Sequence, residues 1–191
     1  MNNNYIAGFF DGEGSAMILT IHRQMGTGVI YRFRPVIKIA QKTNGVLEAI
    51  RDYVGYGHID YKKDKNGYII NGLEGVLVFV QKVAHFCYLK RDVLLTVGKL
   101  AEFQQNHTRN IPYTLEDTVK MLDIRDRVFG LNSVTRTGLK QKNPREQILS
   151  ETTFVGDIRQ WQLKRAEMGA IALEEAGKPF RFKKGENHAQ K

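Results

Sequence analysis

The chain holds one cysteine, Cys87, in 191 residues. A lone thiol builds neither a disulfide framework nor a zinc site of paired ligands, so an intracellular, reducing setting fits. Long apolar runs are missing too: the longest, residues 5–10 (broken by Gly8) and 76–80, fall far short of the roughly 20 residues that cross a bilayer. The N-terminus, Met1-Asn2-Asn3-Asn4, lacks a basic region followed by an apolar stretch. A soluble, non-secreted protein is therefore expected, in a prokaryotic cytoplasm or, as the alternative, an organelle. Acidic residues are outnumbered, 20 against 29 basic ones, which leaves a net charge of +9 and a pI near 9.6. That imbalance favours a polyanionic partner. No internal repeat is present.

With 42% hydrophobic residues, the chain buries one core, or one core plus a small appendage. An Asn-capped apolar stretch, Tyr5-Ile6-Ala7-Gly8-Phe9-Phe10, stops in Asp11-Gly12-Glu13-Gly14 and predicts a short helix ended by glycines. Residues 15–24 and 29–41 predict two long strands around the glycine-bearing loop Met25-Gly26-Thr27-Gly28. Helical spacing returns at 46–54, a second hairpin follows (57–63 and 68–72 around Asp64-Lys65-Asn66-Gly67), and 75–86 and 92–106 are again helical. The order is αββαββα, an α+β domain with helices on one face of an antiparallel sheet. Residues 115–129 and 154–175 predict further helices, separated by a basic loop at 132–143 that lacks acidic residues. The expected division is a core over 1–145 including the basic loop 132–142, a helical extension over 146–176, and a basic, frayed tail over 177–191.

Charge in the first hairpin carries the first functional argument. Alternation in 29–41 places Tyr31, Phe33, Pro35, Ile37 and Ile39 on one face and Arg32, Arg34 and Lys38 on the other. A two-stranded ribbon with a cationic face fits the DNA major groove, where Arg reads guanine and Lys or Arg neutralises phosphate. In the first strand, polarity puts Thr20, His22 and Gln24 on that outer face, opposite Met17, Leu19 and Ile21. A slip of one residue reverses the assignment and presents Arg23 instead. Lys62 of the second hairpin is a further DNA-contacting candidate.

The small residues Ala7, Gly8 and Gly12 would let a second helix approach backbone to backbone, and the helix then delivers a carboxylate at its end. Two such helices bring two acids together. The segment Ile6-Ala7-Gly8-Phe9-Phe10-Asp11-Gly12-Glu13-Gly14 resembles the motif that names the LAGLIDADG homing endonucleases. The resemblance covers roughly 5–145 as architecture and only these nine residues sharply. It implies that paired motif helices hold divalent metal over two scissile phosphates, with Glu13 and the Gly12 carbonyl as ligands. Glu stands where the family more often has Asp. Hard oxygen donors of this kind suit Mg²⁺, with Mn²⁺ or Ca²⁺ able to replace it in binding. By position, Gln41 resembles the family's water-orienting residue and Lys90 the lysine that stabilises charge on the phosphate or polarises the water.

Only one motif occurs, so the resemblance implies one half-site per chain. That means a homodimer joined through Tyr5, Ile6, Ala7, Gly8, Phe9 and Asp11, acting on a long pseudo-palindrome in double-stranded DNA. Arg136, Lys140 and Lys142 in the basic loop resemble a backbone-gripping segment. The expected activity is site-specific, Mg²⁺-dependent phosphodiester hydrolysis, in an intron-encoded or free-standing enzyme. The alternative on the same scaffold is an intron RNA maturase or a non-cleaving DNA-binding protein.

Overall fold

A computed structural model describes residues 1–25, 28–107, 113–133 and 144–152, apart from the side chains of Gln24 and Met25. Helix α1 (Asn3–Glu13) starts where the Asn2 side chain accepts a hydrogen bond from the Tyr5 N–H at 2.9 Å, which satisfies one of the helix's first unpaired donors. It ends without a left-handed residue: Gly14 is extended (φ −86°, ψ 163°) and already begins β1 (Gly14–Met25). The glycine there answers close approach, since a Cβ would lie 2.1 Å from the Phe10 ring. Strand β2 (Gly28–Gln41) returns antiparallel to β1.

Next come α2 (Asn44–Val54), β3 (His58–Asp60), β4 (Asn66–Ile70) and α3 (Leu73–Val83), which runs into a 3-10 turn at Ala84–Phe86. Helices α4 (Arg91–Asn106), α5 (Leu115–Ser133) and α6 (Arg145–Glu151) complete the described elements. The sheet order is β1-β2-β4-β3, antiparallel throughout. The expected α+β, αββαββα plan is the observed one, and it carries additional C-terminal helices.

The second hairpin departs from expectation in its detail. Asn66 and Gly67, predicted as turn, are the first residues of β4. The Asn66 side chain explains this: it accepts from the Lys62 N–H at 2.9 Å, donates to the Lys42 carbonyl at 2.9 Å and bonds Asn44. These bonds tie the turn to the end of β2. At the C-terminus of α2, Gly55 takes the left-handed conformation (φ 83°) and its N–H bonds the Arg51 carbonyl at 2.8 Å, the usual glycine stop.

Two apolar clusters lie on the helix side of the sheet. The larger gathers Phe10, Ile37, Ile39, Tyr68, Ile70, Phe79 and Leu94, with neighbours from α1 to α4. The smaller joins Tyr31 and Phe33 of β2 to Leu100, Met121, Leu122 and Ile148. Helix α6, which periodicity did not reveal, docks there through fully buried Ile148. The Tyr31 hydroxyl donates to Glu151, and Arg145 ion-pairs with Asp123 (2.6 Å) and Asp126 (3.4 Å) of α5. Residues 145–151 thus pack with the sheet, in a compact unit spanning Met1–Phe154. Asn132 and Ser133, expected in the basic loop, form the last turn of α5, where the Asn132 side chain donates to the Ala16 carbonyl at 3.0 Å. The helix expected at 154–175, the tail, and Arg136, Lys140 and Lys142 lie outside the described residues. Among the described residues, no helix is long and apolar enough to cross a membrane.

Candidate active site and nucleic-acid interface

Register decides which side chains of β1 accompany the cationic row of β2. Directly opposite residues of an antiparallel pair share a face. Ala16 pairs with Ile37, Ile18 with Pro35, Thr20 with Phe33 and His22 with Tyr31, so Thr20 and His22 lie on the helix side. The His22 and Tyr31 rings stand 5.2 Å apart, as a shared face requires. The opposite face carries Met17, Leu19, Ile21 and Arg23 beside Val36, Arg34, Arg32 and Ile30. Polarity thus misassigned Thr20 and His22, and the register realises the alternative that presents Arg23. Gln24 pairs with Val29 through its backbone; its side chain is outside the described part. The cue failed because outward β1 is apolar, whereas Thr20 and His22 sit toward the hairpin tip, and His22 stays exposed there.

Arg23, Arg32 and Arg34 are exposed and Lys38 is half-buried on this outer face. Lys38 continues the face across the sheet through Ile69 to His58. Lys62 is exposed just past β3 and ion-pairs with Asp60 at 3.0 Å.

The motif helix separates its residues cleanly. Ile6, Ala7 and Phe10 are completely buried in the chain's own core. Ile6 and Ala7 are therefore unavailable to a second helix, contrary to the expected interface. The open stripe is Tyr5 (51% exposed), Gly8 and Gly12, with Phe9 partly packed inward. Tyr5 and Phe9 stack at 6.1 Å, and a Cβ at Gly8 or Gly12 would meet nothing within 4 Å.

Asp11 is spent inside the chain as well. Its carboxylate accepts from the N–H groups of Tyr88 (2.6 Å), Leu89 (3.1 Å) and Lys90 (2.9 Å), pinning the loop before α4 to the end of α1. That loop holds Tyr88, 92% exposed, and Leu89, 71% exposed. Sequence reasoning passed over both, because an apolar pair in a short loop looks like core.

Two of the expected catalytic residues, Glu13 and Lys90, lie at the end of α1. Lys90 Nζ donates to the carbonyls of Phe10 (3.1 Å), Asp11 (2.7 Å) and Gly14 (2.8 Å). A cation there offsets the negative end of the helix and the acids that crowd it. Gln41 ends β2 two residues past Ile39, the partner of Gly14, and its side-chain oxygen accepts from the Lys42 N–H at 2.7 Å. Glu13 is exposed, and Lys65 from the β3–β4 turn lies 3.6 Å from its carboxylate. Sequence reading missed this neighbour of Glu13, since a turn lysine carries no distinguishing signal. Cys87, buried under α1 with its thiol 3.9 Å from the Ala7 carbonyl, is pushed up to about 12, by burial first and by Asp11 second. It stays a thiol and supplies no nucleophile at neutral pH.

Among the described residues, no three His, Cys, Asp or Glu side chains cluster closely enough to hold a metal ion. The donors expected at the end of α1 are the Glu13 carboxylate and the Gly12 carbonyl. This small, all-oxygen set matches Mg²⁺, which takes one or two carboxylates and completes its shell with water and phosphate.

Comparison with known proteins agrees with this geometry. The LAGLIDADG endonuclease family matches residues 6–90, the span from the motif helix to Lys90. No curated protein sequence matches. Among solved structures, the archaeal intron-encoded homing endonuclease I-Vdi141I, complexed with DNA, superposes with a TM-score of 0.65 at 23% identity, over 84% of this chain and 96% of that one. The homing endonuclease I-CvuI, in complex with the I-CreI target in the presence of Mg, uncleaved, gives 0.64 at 18% identity, over 78% and 95%. I-TnaI, another homing endonuclease, gives 0.53 at 22% identity, over 71% and 99%. At these identities the likeness speaks for the fold, while the sequence match over 6–90 carries the kinship. Residues 6–90 of the chain carry the sequence pattern of the LAGLIDADG endonuclease family.

Proposed function

We propose that the protein is a site-specific, Mg²⁺-dependent double-strand DNA endonuclease that acts as a homodimer. The carrying observation is the split within α1: one face is buried in its own chain, the other is an open stripe of Tyr5, Gly8 and Gly12, and the stripe runs to exposed Glu13. Among the described residues, one chain offers too few donors for a metal site, and two copies joined along this stripe set two Glu13 carboxylates side by side. Exposed Tyr88 and Leu89, held at the same end by Asp11, widen the apolar surface a second copy would cover. The interface proposed is accordingly Tyr5, Gly8, Phe9 and Gly12 together with this loop, in place of Ile6, Ala7 and Asp11.

In the proposed reaction, Glu13 and the Gly12 carbonyl hold the ion, which when bound supplies Lewis acidity toward the phosphate and an activated water. Gln41 orients water from the end of β2. Lys90 fixes the carbonyls at the end of α1 and brings positive charge to the site. Lys65 balances Glu13 in the free protein and would turn to the phosphate when duplex binds. The phosphodiester is hydrolysed in line, without a covalent intermediate. Arg23, Arg32, Arg34 and Lys38 on the outer sheet face take the major groove of each half of a pseudo-palindromic duplex. Domain organisation is proposed as an endonuclease core through α6, followed by a C-terminal extension and basic tail.

The test is incubation of the purified chain with a library of intronless-allele DNA, with and without Mg²⁺, and mapping of the ends. Mg²⁺-dependent staggered ends within one pseudo-palindromic sequence are expected. Stimulated splicing of intron RNA without any DNA nicking would replace this reading with that of a maturase.

A further inference from the structure

The sheet's outer face carries apolar side chains that neither core uses. Val36 is buried (6% exposed) yet belongs to neither cluster, and Leu19, 43% exposed, with partly exposed Met17, Ile21 and Ile69, lies on the same face. Register interleaves them with cations: Leu19 stands directly opposite Arg34 and Ile21 opposite Arg32. A solvated sheet face gains nothing from this pattern, and a face built to grip phosphates alone would be polar throughout.

We propose that this row is a thymine-methyl reader: Met17, Leu19 and Ile21 seat the C5-methyl groups of thymines in the major groove, beside guanines taken by Arg32 and Arg34. The inference rests on the DNA-binding reading above and deepens it by naming the base chemistry of the half-site. The major-groove edge of an A·T pair offers one apolar group, the thymine methyl, while guanine presents N7 and O6 to an arginine fork. The arginines on the face make a polyanion the matching occupant and disfavour an apolar peptide or helix. Outward residues of one strand repeat every ~6.7 Å, about two base-pair rises, so Met17 to Ile21 spans roughly five base pairs. The target half-site should hold thymines within one such window, some of them next to guanine.

The experiment selects tightly bound duplexes from a random library at fixed salt, then replaces each thymine of the selected half-site with deoxyuridine, which removes only the methyl. Each methyl fully buried against the row should cost about fourfold in affinity, and thymines outside the window should tolerate the change. Leu19→Asn and Ile21→Asn alter side chains outside both cores, so the fold should persist. Each is expected to abolish thymine-over-uracil discrimination at one position. Arg34→Gln is expected to weaken binding overall and leave that discrimination intact. Tight binding that ignores every deoxyuridine replacement, or discrimination that survives in both Asn variants, would overturn the inference and leave the endonuclease reading standing. Failure to enrich any duplex would overturn both.

Discussion

Replacing each of the two acids of the motif helix with its amide should separate a structural carboxylate from a catalytic one. Asp11 accepts three backbone N–H groups, two on Oδ2 and one on Oδ1. In Asp11→Asn only one oxygen remains, so at least one N–H faces an amide NH₂, and the charge assistance of the others is lost. Hydrogen bonds to charged groups contribute about 1.5–3 kcal/mol each, and at this half-buried site the total loss should be about 2–4 kcal/mol. With a urea slope of about 2 kcal/mol per molar, the midpoint should fall by about 1–2 M. Glu13→Gln removes a single ion pair with Lys65, both partners about half exposed, a loss below about 1 kcal/mol. Relief of negative charge at the end of α1 offsets that loss. The Glu13 variant should therefore unfold like the parent and bind duplex, yet fail to cut with Mg²⁺. Urea unfolding followed by circular dichroism, with cleavage of a mapped target in parallel, makes the comparison. An Asp11 variant as stable as the parent, or a Glu13 variant that cleaves equally well, would refute the assignment of roles.

Gly8→Phe should leave the protomer folded, because a Cβ there meets no atom within 4 Å, and should turn a dimer into a monomer in sedimentation equilibrium; a persisting dimer would move the interface elsewhere. Arg23→Gln should weaken duplex binding and reduce the slope of log affinity against log salt by about 1, whereas His22→Gln should change neither; the opposite result would contradict the register. Cys87 should resist alkylation until the protein unfolds. Its thiol rises from an ordinary 9.0 to about 12 on folding, so the unfolded chain releases this proton first and stability should decline as pH rises from 9 toward 12. Urea midpoints across that range, compared with those of Cys87→Ala, check the sign.

The motif segment, the αββαββα order and the cationic alternation of β2 were all legible in the sequence, because each is local: helical or two-residue periodicity, a cap, a glycine pair, a row of charges. Gln41 and Lys90 were placed by resemblance; Lys90 bonds the carbonyls at the end of α1, while Gln41 bonds its own neighbour Lys42. The sequence also left two registers open for β1. Only pairing with β2 turned Arg23 outward and Thr20 and His22 inward, since polarity predicts faces only where the faces differ in environment. Likewise, small residues at 7, 8 and 12 read alike in one dimension. The turn of α1 against α3 and the sheet buried Ala7 and left the glycines open. Lys65 meets Glu13, and Asp11 meets the loop of Lys90, across more than 50 and 70 residues of chain. Contacts of that separation follow from how the elements pack, which no local pattern encodes.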